Sequence, residues 1–174
     1  MEKVRSATVD DYDWIQQTEL STYGSDAWKY TRDEWAKIIR YNNPNMESLD
    51  GNNVIRVYKN AYIQFSFYPQ RGWYLTSIGG NVDVIDNSKD IDYLMKWFLE
   101  KEGERFYTHA DPKWMNGQII PFLKNYGFRI IGYGNVKKEI GKWAMDLSKL
   151  FELEFLKKNS PNLLKSFFLS KSKK

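Results

Sequence analysis

Few residues in this chain can do chemistry, and His109 stands first among them. It is the only histidine. An imidazole ordinarily titrates near neutral pH, so His109 can take a proton from an attacking group, or simply end a strand with its hydrogen bonds satisfied. Asp111 offers a carboxylate for acid or base work. Followed by Pro112, it also has the form of a helix N-cap, where the missing proline N–H costs nothing. With no cysteine there is no thiolate nucleophile, disulfide or thiolate metal site. A single histidine outside any cluster of acids argues against a catalytic zinc.

These residues sit on a stretch that defines its own elements, DPKWMNGQIIPFLKNYGFRIIGYG from Asp111 to Gly134. Met115, Ile119, Phe122, Leu123 and Tyr126 recur at spacings of three and four, which predicts one helical stripe. Pro121 lies within it and should kink or restart the helix by removing a bond to the Gly117 carbonyl. Gly127 stands where a helix end favours positive φ. Phe128 to Gly132 then reads as a buried strand.

Upstream, Val4–Ala7 is a short strand, and Thr8 with Asp11 forms a capping-box-like start. Tyr12, Ile15, Leu20 and Tyr23 are expected on the apolar side of the helix that follows. Thr31 to Glu34 caps a second helix, Trp35 to Tyr41. Val54–Tyr58, Ala61–Tyr68 and Trp73–Gly80 make three antiparallel strands. Ser88 to Gly103 is a third helix, with Ile91, Leu94, Met95, Phe98 and Leu99 on one face. Arg105–Ala110 is a strand reached by a parallel crossover, and Lys142–Leu147 is expected to be the last strand.

The order βααβββαβαββ resembles the GNAT superfamily, whose members move an acetyl group from acetyl-CoA to an amine. The resemblance rests on VRSATVDDYDWIQQTE at the start, on Asn116 and Gly127-Phe128, and on the element order over about residues 3–150. It implies an α/β (α+β) fold: a mixed, mostly antiparallel sheet of six to seven strands, flanked by four helices. The implied division is an acetyltransferase domain over 1–150 and a basic helical extension over 151–174.

The resemblance also implies a site. The fourth and fifth strands splay apart, the pantetheine arm lies in the gap, and the pyrophosphate rests on the next helix start. That carries cofactor contacts to Ile78, Gly79 and Gly80, to Asn87, Ser88 and Lys89, and to Asn116 and Phe122. His109 becomes the candidate catalytic base for the amine. Gly79-Gly80 would supply any bulge in the fourth strand. Two departures stand out. The loop Asp83–Asp90 carries carboxylates and no glycine where the family has a glycine-rich turn, and like charge repels a pyrophosphate. Leu123 stands where family members often place a tyrosine that protonates the thiolate, which leaves water for that step. The alternative is a GNAT-fold binding module without catalysis.

Composition bounds the partners. Seven Trp, 12 Tyr and 10 Phe are more simply core rings than nucleic-acid platforms. The net charge is +4, but Leu156–Lys174 holds six lysines and no acid, which leaves −2 on the rest. That disfavours a nucleic-acid surface on the body. The tail, with Leu163, Leu164, Phe167 and Phe168, is expected to pack on the body, pair two copies, or touch an anionic surface. No apolar stretch resembles a signal peptide or a membrane span. The expectation is a cytoplasmic protein acting on a small-molecule or peptide amine, with acetyl-CoA and no metal.

Overall fold

The computed structural model describes residues 2–40, 54–68, 70–100, 105–133, 137–140, 143–146 and 150–157. Strand β1 (Arg5–Ser6) leads through a single 3-10 turn into α1 (Tyr12–Tyr23). The entry is fixed by Asp11, whose Oδ2 accepts the Thr8 N–H at 2.8 Å and pairs with Arg5 at 2.7 Å. Helix α2 (Arg32–Arg40) starts three residues earlier than expected. There Thr31 and Glu34 cap each other, with the Thr31 N–H to Glu34 Oε2 at 2.9 Å and the Glu34 N–H to Thr31 Oγ1 at 3.2 Å.

The sheet follows: β2 (Val54–Tyr58), β3 (Ala61–Tyr68), β4 (Gly72–Gly80) and, after α3 (Ser88–Leu99), β5 (Arg105–Ala110). The chain then makes α4 (Trp114–Gly117), α5 (Ile119–Asn125), β6 (Arg129–Tyr133), the hairpin β7 (Lys137–Ile140) and β8 (Trp143–Asp146), and β9 (Phe151–Leu156). Seven strands form one sheet in the order β1-β2-β3-β4-β5-β9-β6, and only β4 and β5 pair in parallel.

Each face of the sheet is covered because the strand side chains alternate. Ala61, Ile63 and Phe65 of β3 join Leu94, Met95 and Phe98 of α3 in the larger core. Tyr62 joins Ile15 of α1 and Trp35 of α2 on the other face. No helix among the described residues is long and apolar enough to cross a membrane.

Four expectations are corrected here. The helix after β5 breaks at Met115 and Asn116, both at φ 53°, and not at Pro121. Pro121 is the third residue of α5, within the first turn, where a backbone N–H has no intrahelical partner to lose. Strand β6 is an edge and not a buried strand, with Ile130, Ile131 and Tyr133 exposed. Residues 143–146 pair only with β7, and the strand that closes the sheet between β5 and β6 is β9. Residues 151–156, read from sequence as the start of the extension, therefore belong to the central sheet. The expected helix of the tail lies outside the described residues, as do Tyr41 and the end expected for α3.

Gly127, at φ +96°, ends the α5 segment as expected, and a Cβ there would stand 3.1 Å from the Phe155 ring of β9.

Candidate active site

The site begins with a bulge. Along β3 and β4, Gln64 pairs with Ser77 and the next residue, Phe65, pairs with Leu75, so Thr76 is the extra residue of β4. A bulge bends its strand and increases the local twist. Strands β4 and β5 are in ladder register only at Trp73–Phe106 and Tyr74–Tyr107, just before that point. Thr108 Oγ1 then reaches the Leu75 carbonyl at 2.7 Å, a side chain replacing the lost backbone bond. Beyond it the strands separate. Gly79 and Gly80, expected to carry the bulge, instead pair regularly with Tyr62 and Ala61.

The wedge is a narrow cleft. Leu75 to Ile78 and Thr108 to Ala110 form its sides, with Ile119 and Leu123 of α5 also lining it. Tyr23 enters from α1. Its hydroxyl donates to the Ile78 carbonyl at 2.9 Å and accepts the Ile78 N–H at 3.2 Å. The backbone of Ile78, a predicted contact for a bound arm, is thus engaged by the chain itself.

A second pocket adjoins the first. Tyr23, Thr76, His109 and Trp114 line both, so the two spaces meet at these four residues. His109 is buried, with Nδ1 3.3 Å from the Tyr74 hydroxyl. Burial and its neighbours Tyr107 and Tyr68 hold the Tyr74 hydroxyl well above the usual range, so it stays protonated.

The second pocket also contains Glu19, only 4% exposed. Ile15, Glu19 and Tyr23 recur every four residues on the buried face of α1. A Cβ on Gly79 would lie 2.8 Å from Thr18 Cγ2 and 2.9 Å from the Tyr62 ring, so glycine there lets α1 lie close to β4. Glu19 Oε1 accepts hydrogen bonds from the Tyr62 and Ser77 hydroxyls. Oε2 is buried and has no hydrogen-bond partner among the described residues. Burial raises the carboxyl from 4.5 to about 7, outweighing the hydroxyls of Ser77 and Tyr62 and the Trp28 backbone N–H, which all favour the charged form. A carboxyl poised at neutrality inside a pocket can change its charge in service of a reaction.

The remaining predicted contacts fare differently. At the start of α3, both the N–H and the hydroxyl of Ser88 donate to Asp86 Oδ1, at 3.2 and 2.7 Å. These bonds hold the Asp86 carboxyl below its usual range. The Asn87 side-chain amide donates to the Asn81 carbonyl at 2.9 Å and lies so close to Gly80 that a Cβ there would clash. Lys89 is exposed. Asn116 is exposed in its left-handed turn, and Phe122 packs edge-on against Tyr126 at 5.1 Å. Neither lines the two cavities. The fold thus gathers Ile78 and His109 with Glu19, Tyr23 and Trp114, which sequence reasoning missed.

No protein-family model and no curated protein matches the sequence. Solved structures do match the fold. A GNAT-family acetyltransferase from Bacillus cereus superposes with TM-score 0.55 at 14% identity, covering 90% of this chain and 98% of that one. The chain has the GNAT fold. An N-acetyltransferase from Staphylococcus aureus gives TM-score 0.60 at 16% identity over 90% and 98% of the two chains. A spermidine N-acetyltransferase from Vibrio cholerae, solved with CoA and spermine, gives 0.58 at 12% over 88% and 94%. In this GNAT fold the bulge at Thr76 opens the wedge, and α1 supplies the buried carboxyl beside it.

Proposed function

We propose that the protein is an N-acetyltransferase that moves an acetyl group from acetyl-CoA to an amine by direct attack. The observation that supports it is the meeting of the wedge and the second pocket at His109: one space suits a thioester arm, the other an acceptor, and they share a proton-accepting group. In this reading His109 takes the proton of the amine as its nitrogen bonds to the thioester carbonyl carbon. The Tyr74 hydroxyl at Nδ1 holds the imidazole in place. The C–S bond then breaks, and water supplies the proton for the departing thiolate, since Leu123 is an apolar core residue.

The donor fits the two ends of its site unequally. The wedge suits a thin arm, with Ile78 able to exchange the Tyr23 hydroxyl for a ligand amide. At the start of α3 a diphosphate would compete with Asp86 for the Ser88 N–H, with Asp83 and Asp90 nearby in sequence. That observation favours a second reading, a GNAT-fold binding module that no longer takes CoA. Calorimetry with acetyl-CoA separates the two. Binding in the micromolar range, with thiol release when amine is added, is expected; no heat at millimolar acetyl-CoA would remove the transferase reading.

A further inference from the structure

The second pocket is chemically one-sided. It has two acids, Glu19 and Asp26, and four aromatic walls, Tyr23, Trp28, Tyr74 and Trp114, with no lysine or arginine lining it among the described residues. The walls are held in place. The Trp114 indole N–H donates to Asp26 Oδ2 at 3.0 Å, and its ring meets Tyr23 edge-on at 5.1 Å. Gln16 pins the segment carrying Trp28, its amide donating to the Trp28 carbonyl at 2.7 Å and its oxygen accepting the Tyr30 N–H at 3.1 Å. Trp28 and Tyr30 stack nearly parallel.

Glu19 Oε2 is the unfinished part of this pocket. Oε1 takes the Tyr62 and Ser77 hydroxyls and the Trp28 backbone N–H faces the same carboxyl, whereas Oε2 is buried without a hydrogen-bond partner among the described residues. A carboxylate oxygen left bare in an aromatic enclosure is complementary to a cation, by charge and by the negative faces of the rings. Glu19 lines the second pocket but not the wedge, whereas His109 lines both. A charge held at Glu19 is therefore set apart from the place where a thioester would be attacked.

Resting on the acyl-transfer reading, we propose that the acceptor is an aliphatic dication: one amine reacts at His109 while a second ammonium stays protonated against Glu19, with Asp26 and the aromatic walls around it. The groups facing Glu19 are Tyr23 on its own helix, Tyr30 beyond it, Tyr62 on β3 and Ser77 on β4, with Asp26 and His109 across the pocket. Among the described residues none of these groups is a fixed cation, so a ligand's positive charge would shift Glu19 further towards its ionised form. An ammonium bound there draws a neutral Glu19 into its charged form, and binding near neutral pH should release a proton.

Three amines with the same four-carbon chain test this: 1,4-diaminobutane, butylamine and 4-aminobutanoate, whose far ends are positive, neutral and negative. The expected order of kcat/KM is diamine over butylamine over aminobutanoate, with about tenfold between the first two. Glu19→Gln should collapse that ratio towards one. Calorimetry with 1,4-diaminobutane and no donor, run at pH 7 in two buffers of different ionisation heat, should show proton release that Glu19→Gln abolishes. Equal use of the diamine and 4-aminobutanoate, or a ratio unchanged by Glu19→Gln, would overturn the proposal. Diamine binding with proton release but no turnover of any amine would support the pocket and overturn the transferase reading instead.

Discussion

The two ends of the cleft are built on opposite principles. At the splay, a bulge at Thr76 turns β4 away from β5 and opens a narrow cleft that His109 lines, with the buried Glu19 carboxyl in the adjoining pocket. At the start of α3, the chain fills its own anion position, with Asp86 taking the Ser88 N–H. A helix start attracts anions, and here a carboxylate two residues before it is already in place. The contrast teaches that an opening made by strand register and a helix start capped by side chains rest on different features of the chain.

The largest expected effect falls on the reacting end. His109→Gln should lower kcat by about 100-fold or more while leaving acetyl-CoA affinity within about twofold, since general-base catalysis is typically worth that much. Equal loss in both would show that His109 supports the fold and not the proton transfer.

Glu19 makes the second. Its carboxyl ordinarily titrates at 4.5 and in the fold at about 7. Below pH 4.5 folded and unfolded chains both hold the proton; between about 4.5 and 7 only the folded chain does. Stability present at low pH is therefore lost as pH rises through that window, by about 3 kcal/mol in all. Urea unfolding at pH 5 and pH 8 should show this fall in the wild type and little of it in Glu19→Gln. A wild-type difference unchanged by the substitution would place the titration elsewhere.

Gly79→Ala tests how closely α1 must approach the sheet. The new Cβ meets Thr18 and Tyr62 below 3.0 Å, and overpacking of this kind costs about 1–3 kcal/mol. Because α1 carries Glu19, the variant should also weaken diamine binding at pH 7. A thermal midpoint equal to that of the wild type would mean that α1 yields freely.

The smallest effect is at the anchoring end. Asp86→Asn removes one carboxylate from the start of α3 and should tighten acetyl-CoA about three- to fivefold, less at high salt. If affinity falls instead, Asp86 orders the helix start for the ligand and the contrast between the two ends disappears.

Much of the architecture was legible beforehand because it depends on local signals. Strand alternation, the Thr8–Asp11 and Thr31–Glu34 caps and Gly127 each set an element from a few neighbouring residues. The site was legible only in part. His109 could be singled out as the lone imidazole, and Ile78 by its place on the fourth strand. Glu19 is hidden in the sequence because its neighbour Leu20 reads as the apolar face, whereas in the fold Leu20 is exposed and Glu19 buried. The signal was present, since Glu19 lies midway between Ile15 and Tyr23 at helical spacing.

What the amino-acid order determined by itself was most of the strands and helices as far as β5, their caps, and the run of carboxylates before α3. Tertiary structure decided which strand closes the sheet, where β4 bends, and that Glu19, Tyr23, Trp114 and His109 share one space. The reason is range. Caps and turns are settled by hydrogen bonds a few residues long, whereas a bulge shows itself only in the register of two paired strands, and a buried charge only in the packing of elements far apart in the chain.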